Sequence, residues 1–410
     1  MTQQKTPPTV IIGAGASGFF AAIQRKKTAP NQDIIILEKS SNVLEKVLLS
    51  GGGRCNVTHA CYDPQTLCSY YPRGNKALRS VFERFDCQDT LKWFEKHGVK
   101  LKTEADGRIF PVSNQAQDIK NCLLSTAKKL GIKIWTNYPI TSIKNVDHTF
   151  VINSQKHSPL LAQQLILATG SNRSGYKLAQ DCGLKLIPPI PSLFSFKTDD
   201  TQLQSRQGLS VQHSSITLNL APKQPSNGPI LITHWGLSGP AIITLSAWQA
   251  QTLYKHRYQA MCKINWLVKY PQETILKTLL TNKDIHKNKR CTSLSPFKEI
   301  PLRLWEYFCQ KINLDPSQTW QTLQKKQLYK LLDILTQQQL SITGKGPFKE
   351  EFVTCGGVDQ KAINFKTMAS KHNPNLFVIG ELLDCDGVTG GFNFQQAWAT
   401  GWIAGNAAYL

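Results

Sequence analysis

The run Gly13-Ala14-Gly15-Ala16-Ser17-Gly18, set between Thr9-Val10-Ile11-Ile12 and a helical pattern from about Ala16 to Lys27, constrains this chain more than any other feature. A short β-prone stretch, then G-x-G-x-x-G, then a helix is the opening of a Rossmann-like fold. The glycines let backbone approach a pyrophosphate, and the helix aims free N–H groups and partial positive charge at the same place. Ala29-Pro30-Asn31 ends the helix, and Ile34-Ile35-Ile36-Leu37 has the continuous apolar character of a parallel strand buried on both faces. Glu38 closes that strand twenty residues after Gly18, where a carboxylate can accept both hydroxyls of an adenosine ribose. The expected dinucleotide contacts are therefore Gly13, Ala14, Gly15, Ala16, Ser17, Gly18 and Glu38, with Lys39 beside it.

Farther along, helical segments fill residues 75 to 130, and Leu165-Ile166-Leu167-Ala168 returns the chain to the sheet. The character changes after the proline-dense Ile187 to Pro191. Alternating runs at Ser215 to Leu220 and Lys263 to Val268 read as a β-rich unit, and Pro271 to about Leu340 reads as helical and basic. Thr343-Gly344-Lys345-Gly346-Pro347 marks the return, and Asn375 to Ile379 supplies another buried strand. The expected fold class is a three-layer α/β domain made from 1–191 and 345–410, interrupted by a β-rich unit at 192–269 and a helical unit at 270–344.

Leu376-Phe377-Val378-Ile379-Gly380-Glu381, followed by Asp384 and Gly390-Gly391, looks like the second FAD motif of two-motif flavoproteins, and Leu165 to Gly170 looks like their central signature. Ser50 to Thr58 (SGGGRCNVT), Thr233 to Pro240 (THWGLSGP) and Gly380 to Gln395 together resemble the BaiN/RdsA family of flavoproteins over nearly the whole chain. The resemblance implies a Rossmann-like FAD-binding domain split by a β-barrel-like unit and a helical unit. It also implies that Lys46, Arg54, Asn56, Thr169, Gly170, Gly380, Glu381, Asp384, Gly391 and Asn393 touch FAD or line its pocket. Leu44 and Glu45 depart from the family pattern before the lysine aligned with Lys46, and His59 stands where asparagine commonly follows the threonine.

By the same resemblance the activity is that of an FAD-dependent oxidoreductase. The favoured acceptor is uridine in large-subunit (23S) ribosomal RNA, reduced to dihydrouridine. The alternative is a small molecule undergoing steroid-type double-bond reduction or amine oxidation, and a non-catalytic flavin-binding scaffold is the third class. With no second G-x-G-x-x-G in the chain, NAD(P)H is expected to bind only transiently as electron donor. Cys55 reads either as a buried thiol or as a proton donor, and His234 either as a structural or as a catalytic histidine. Cys55, His59, Cys61 and Cys68 lack zinc-ligand spacing, so no metal is expected.

The formal net charge of +21, from 48 Lys and Arg against 27 Asp and Glu, favours a polyanionic partner. Between Gln251 and Glu350 there are 17 basic and 7 acidic residues, including Lys283, Lys287, Lys289 and Arg290 as candidate RNA contacts. Solvated helix faces explain such runs equally well. The interleaved Tyr254, Tyr258, Trp266 and Trp305 could stack on bases or fill a core. No export signal or membrane span is apparent, and the odd, scattered set of eleven cysteines suits a reducing cytoplasm.

Overall fold

The structure, a computed structural model, describes residues 7–346 and 353–407. Residues 1–6, part of the stretch read for an export signal, and Pro347 at the return of the chain lie outside the described residues. The chain divides into two compact units, residues 1–189 with 353–410, and residues 190–352.

The first unit is built on a seven-stranded sheet. Its five parallel strands lie in the order Leu376–Val378, Gln164–Leu167, Thr9–Ile12, Ile34–Leu37 and Lys133–Trp135. Two short antiparallel strands, Ile363–Asn364 and Ala369–Ser370, extend the Leu376–Val378 edge. Val10, Ile11, Ile34, Ile36, Leu165, Ile166 and Val378 are wholly or almost wholly enclosed, as expected of strands covered on both faces.

The first helix, Ala16–Thr28, buries Phe19, Phe20 and Ile23 and ends in Arg25, Lys26 and Lys27, whose charges suit its C-terminal dipole. It packs along the last helix, Phe392–Asn406. Glycine makes that packing close: a Cβ at Gly401 would lie 2.6 Å from the Ser17 carbonyl oxygen, and one at Gly405 would lie 2.8 Å from that of Ala21. Side chains there would force the helices apart.

In the second unit Phe196–Thr198, Gly236–Ser238, Ser226–Thr233, Ser210–Leu218, Ala260–Asn265 and Gln338–Lys345 form a closed antiparallel barrel. The helices Gln272–Ile285, Leu302–Lys311 and Lys325–Gln337 are inserted between its last two strands. This corrects two sequence expectations. Residues 338–344 form a barrel strand and do not continue the helical segment. The barrel and the helices also share one core, in which Ile216, Ile264, Trp266, Leu279, Trp305 and Leu335 are enclosed together, so they do not separate at residue 270. Trp266 and Trp305 are thereby core residues.

Candidate functional site

The register of the parallel strands gathers the motifs at one edge. Ile12 lies opposite both Leu37 and Leu167, and Leu167 lies opposite Val378. The residues that follow these strand ends, Gly13, Glu38, Thr169 and Gly380, therefore emerge together at the carboxyl edge of the sheet. Thr9–Ile12 has Ile34–Leu37 on one side and Gln164–Leu167 on the other, which makes this edge a topological switch point, the usual site of a ligand crevice.

The three glycines of the first motif do different jobs. Gly13 has φ +110°, and a Cβ there would meet the Ala168 carbonyl oxygen at 2.4 Å. A Cβ on Gly18 would meet the Gly13 oxygen at 2.1 Å. Both glycines are packing devices. Gly15 has nothing within 4 Å of its Cβ position and precedes a helix with no side-chain cap and no acid in its first turn. That leaves an open surface over a helix N-terminus, the right shape and polarity for pyrophosphate. The Ala14 N–H donates to Glu38 Oε2 at 3.0 Å, while the Ser40 N–H and hydroxyl donate to Oε1, so the glycine turn holds the carboxylate in place. Lys39 beside it is exposed.

The distant half of the chain completes the edge. Gly380 has φ +67°, its Cβ position is 2.6 Å from Ser17 Oγ, and its N–H donates to Thr400 Oγ1. Glu381 is met by Lys46 Nζ at 2.6 Å, and the same ammonium reaches Ser171 Oγ at 3.2 Å. Glu381 lies near Gly170, whose Cβ position is 3.8 Å from its Oε2. The Thr169 hydroxyl is enclosed with no hydrogen-bond partner among the described residues. Gly175 presses on it so closely that a Cβ would lie 1.9 Å from Oγ1. An open helix N-terminus, a fixed carboxylate and an enclosed spare hydroxyl on one sheet edge fit a bound dinucleotide such as FAD.

Two sequence-selected asparagines act as loop clamps. Asn56, with its amide oriented to satisfy both ends, donates to the Thr58 carbonyl and accepts from the Gly391 N–H, each at 3.0 Å. Asn393 accepts from the Gly387 N–H and donates to the Gly387 carbonyl, each at 2.9 Å. Asn56 holds Gly391, the uncapped start of the last helix, against the Ser50–Thr58 loop, and Asn393 ties the preceding turn at Gly387 to that helix. Gln395 adds a further tie by accepting from Thr58 and Thr90.

Within the loop, Gly51, Gly52 and Gly53 all have positive φ and are exposed. Arg54 pairs with Glu104 at 2.6 Å and stacks 3.9 Å above the Phe110 ring, so its guanidinium already has partners. Cys55 is wholly buried, and burial pushes its thiol up to about 12, only partly offset by a hydrogen bond from Ser50. His59 stacks on Phe392 at 4.8 Å.

His234 belongs to the second unit. It is exposed in the barrel unit, edge-on to Trp235, just before Gly236–Ser238. The glycines beside it serve the barrel, since a Cβ on Gly236 would lie 2.3 Å from the Phe196 carbonyl oxygen. Lys287, Lys289 and Arg290 are exposed in the same unit, but Lys283 is half-buried and donates to the Leu323 carbonyl at 2.6 Å. Sequence reasoning missed Arg73 and Asp386, which form an ion pair in the first unit with Asp386 fully buried. Among the described residues no helix is long and apolar enough to cross a membrane, and no cluster of His, Cys, Asp or Glu could hold a metal.

Comparison with known proteins places this geometry. The chain is 30% identical to a 3-dehydro-bile acid delta(4,6)-reductase of Clostridium scindens, over 97% of this chain and 98% of the relative. It is 28% identical to a ribosomal RNA dihydrouridine synthase of Escherichia coli, over 96% of each. Among solved structures it is similar to a 3-ketosteroid-delta4-(5alpha)-dehydrogenase of Rhodococcus jostii, with a TM-score of 0.51 at 14% identity, covering 99% of this chain and 98% of that one, which supports the fold alone. The model of the HI0933-like protein Rossmann domain matches residues 7–407. With the nucleotide edge and the family match in agreement, the chain belongs to the HI0933-like Rossmann family of FAD-dependent oxidoreductases.

Proposed function

We propose that this protein reduces uridine to dihydrouridine in large-subunit ribosomal RNA, with NAD(P)H as the electron source. The single observation that carries the reading is the net charge of +21 in a chain whose full-length relatives include ribosomal RNA dihydrouridine synthases of Escherichia coli and Haemophilus influenzae. A polyanionic substrate gains from such charge, whereas a bile acid gains little.

The chemistry that FAD supplies when bound is hydride acceptance from a donor and hydride delivery to an acceptor. The chain's own part is to hold and aim. The Gly15 face of the first helix would take the pyrophosphate, Glu38 the adenosine ribose, and Thr169 and Glu381 the groups that lie farther along the edge. Lys287, Lys289 and Arg290 are exposed cations that would grip RNA phosphates.

Identity of 30% to the bile acid reductase favours a second reading, in which the acceptor is a conjugated steroid double bond. Nucleoside mass spectrometry of ribosomal RNA from cells with and without the gene separates the two. Dihydrouridine that disappears with the gene supports the RNA reading, and dihydrouridine that persists unchanged overturns it.

A further inference from the structure

Both readings of the acceptor call for a proton as well as a hydride, and the Cys55 thiol, enclosed and pushed up to about 12, is a poor acid near neutral pH. The segment between Gly380 and Gly391 offers another group. Its two ends are fixed on the nucleotide edge, Gly380 against Ser17 and Gly391 against Asn56 and Thr58. Between them, besides Glu381 with its Lys46 partner, stand two further carboxyl groups, Asp384 and Asp386.

Asp386 is fully buried and held by Arg73 through Nε and Nη2. Asp384 is half-buried, and its Oδ1 is enclosed with no hydrogen-bond partner among the described residues. The charges of Asp386 and Asp359 discourage a negative charge on it, while Arg73 and the Gly356 N–H favour one. Arg73 is bonded to Asp386, so one cation serves two carboxyl groups. Like charges in a shared enclosure ionise one at a time. The doubly bonded Asp386 is the one stabilised as an anion, and Asp384 is pushed toward its protonated form. Burial first, and then the charge of Asp386, raise Asp384 above the usual carboxylate range.

We propose that Asp384 is the proton donor of the reduction. The inference rests on the double-bond reductase reading but holds for either acceptor. The hydride, two electrons and a proton taken from the reduced nicotinamide, would be supplied to one carbon of the double bond by the FAD that the nucleotide edge would hold. The Asp384 carboxyl O–H protonates the other carbon. The π bond is lost, two C–H bonds form, the nicotinamide is left oxidised, and the carboxylate regains its proton from water.

The test uses the full-length, FAD-loaded protein and its Asp384→Asn and Asp384→Glu variants. Stopped-flow absorbance follows flavin reduction by NADPH separately from reoxidation by a uridine-containing ribosomal RNA fragment or by a 3-oxo-4-ene bile acid. Asp384→Asn should keep its FAD and its rate of reduction by NADPH, yet lose about 10²- to 10⁴-fold in reoxidation by the acceptor. Asp384→Glu should recover part of that loss. The wild-type acceptor step should slow as pH rises through the raised pKa, and the Asn variant should lose that dependence. An unchanged acceptor step in Asp384→Asn overturns the proposal, and so does loss of FAD, which would assign Asp384 to cofactor binding. If the wild type reoxidises with neither acceptor, the reductase reading has failed. The infrared spectrum then decides the protonation: a protonated-carboxyl band at neutral pH that vanishes in Asp384→Asn supports the proton assignment, and its absence from the wild type overturns it.

Discussion

Asp200 in the barrel unit and Asp384 in the sheet unit are both half-buried carboxyl groups, and their surroundings finish them in opposite ways. Asp200 accepts from the Leu203 N–H, the Tyr307 hydroxyl and the Lys311 ammonium. Behind it, Gln338 donates to the Tyr307 oxygen and the Trp266 indole donates to Gln338, so the bonds run inward without a break. Burial works to raise Asp200, but the bonds from Lys311, Leu203 and Tyr307 together outweigh it and hold the carboxyl below the usual range. Asp384 lacks such a set of donors and is raised instead. A carboxyl with donors on both oxygens is a fastener. One with an enclosed oxygen to spare is available to a visiting molecule.

Four experiments break or sharpen that contrast. The largest effect is expected for Arg73→Met, which leaves Asp386 buried without its cation and should cost about 3–5 kcal/mol in urea unfolding. A stability near that of the wild type would mean that one cation does not govern both carboxyls, and the account of Asp384 would go with it. Gly15→Val comes next. Its side chain would project over the helix N-terminus, with FAD affinity falling about 100-fold, equivalent to about 2.7 kcal/mol. Because nothing lies within 4 Å of that Cβ position, the apoprotein should unfold at the same urea concentration. Full FAD occupancy in this variant would remove the pyrophosphate from the Gly15 face.

Asp200→Ala should cost about 1–3 kcal/mol through stranded donors, with FAD content unaltered when read from the flavin absorbance. Loss of FAD would show that Asp200 does more than fasten the barrel unit. The smallest effects are in the pH dependence of stability, and their signs differ. The contribution of Asp200 is complete above the ordinary carboxylate pKa and is lost as pH falls through its lowered folded value. Asp384 prefers its proton in the folded state, so its contribution is present below the ordinary pKa and is lost as pH rises through its raised folded value. Asp200→Asn should flatten the acid side of the stability profile and Asp384→Asn the less acidic side. Matching slopes in both variants would erase the distinction.

The nucleotide edge was legible in the sequence because its parts are short and contiguous, and a strand followed by G-x-G-x-x-G fixes its own geometry. Glu38 could be placed at the end of the strand Ile34–Leu37 from spacing for the same reason. Pairings across the chain were not legible. Lys46 meets Glu381 from 335 residues away, and Arg73 meets Asp386 from 313 away, separations at which no local periodicity carries information. The second unit misled in a different way. Trp266 and Trp305, which sequence left open between base stacking and core, lie in the core, because the barrel and the helices bury their faces on each other. Lys283 looked like one more free cation until the fold brought Leu323 to it.

The tight contact between the first and last helices also bears on the order in which the molecule can be made. A ribosome has to produce residues 376–378 and the helix Phe392–Asn406 before Ala16–Thr28 can dock on its glycine-lined partner and the sheet can take its full width. The barrel strands and their helices, all within residues 190–352, need no such wait. During synthesis the inserted unit can therefore fold while the half of the nucleotide unit made first is still incomplete. The crevice at the carboxyl edge, needing both ends of the chain, is the last part to form, so FAD capture follows translation of the C-terminal helix and cannot guide the early steps.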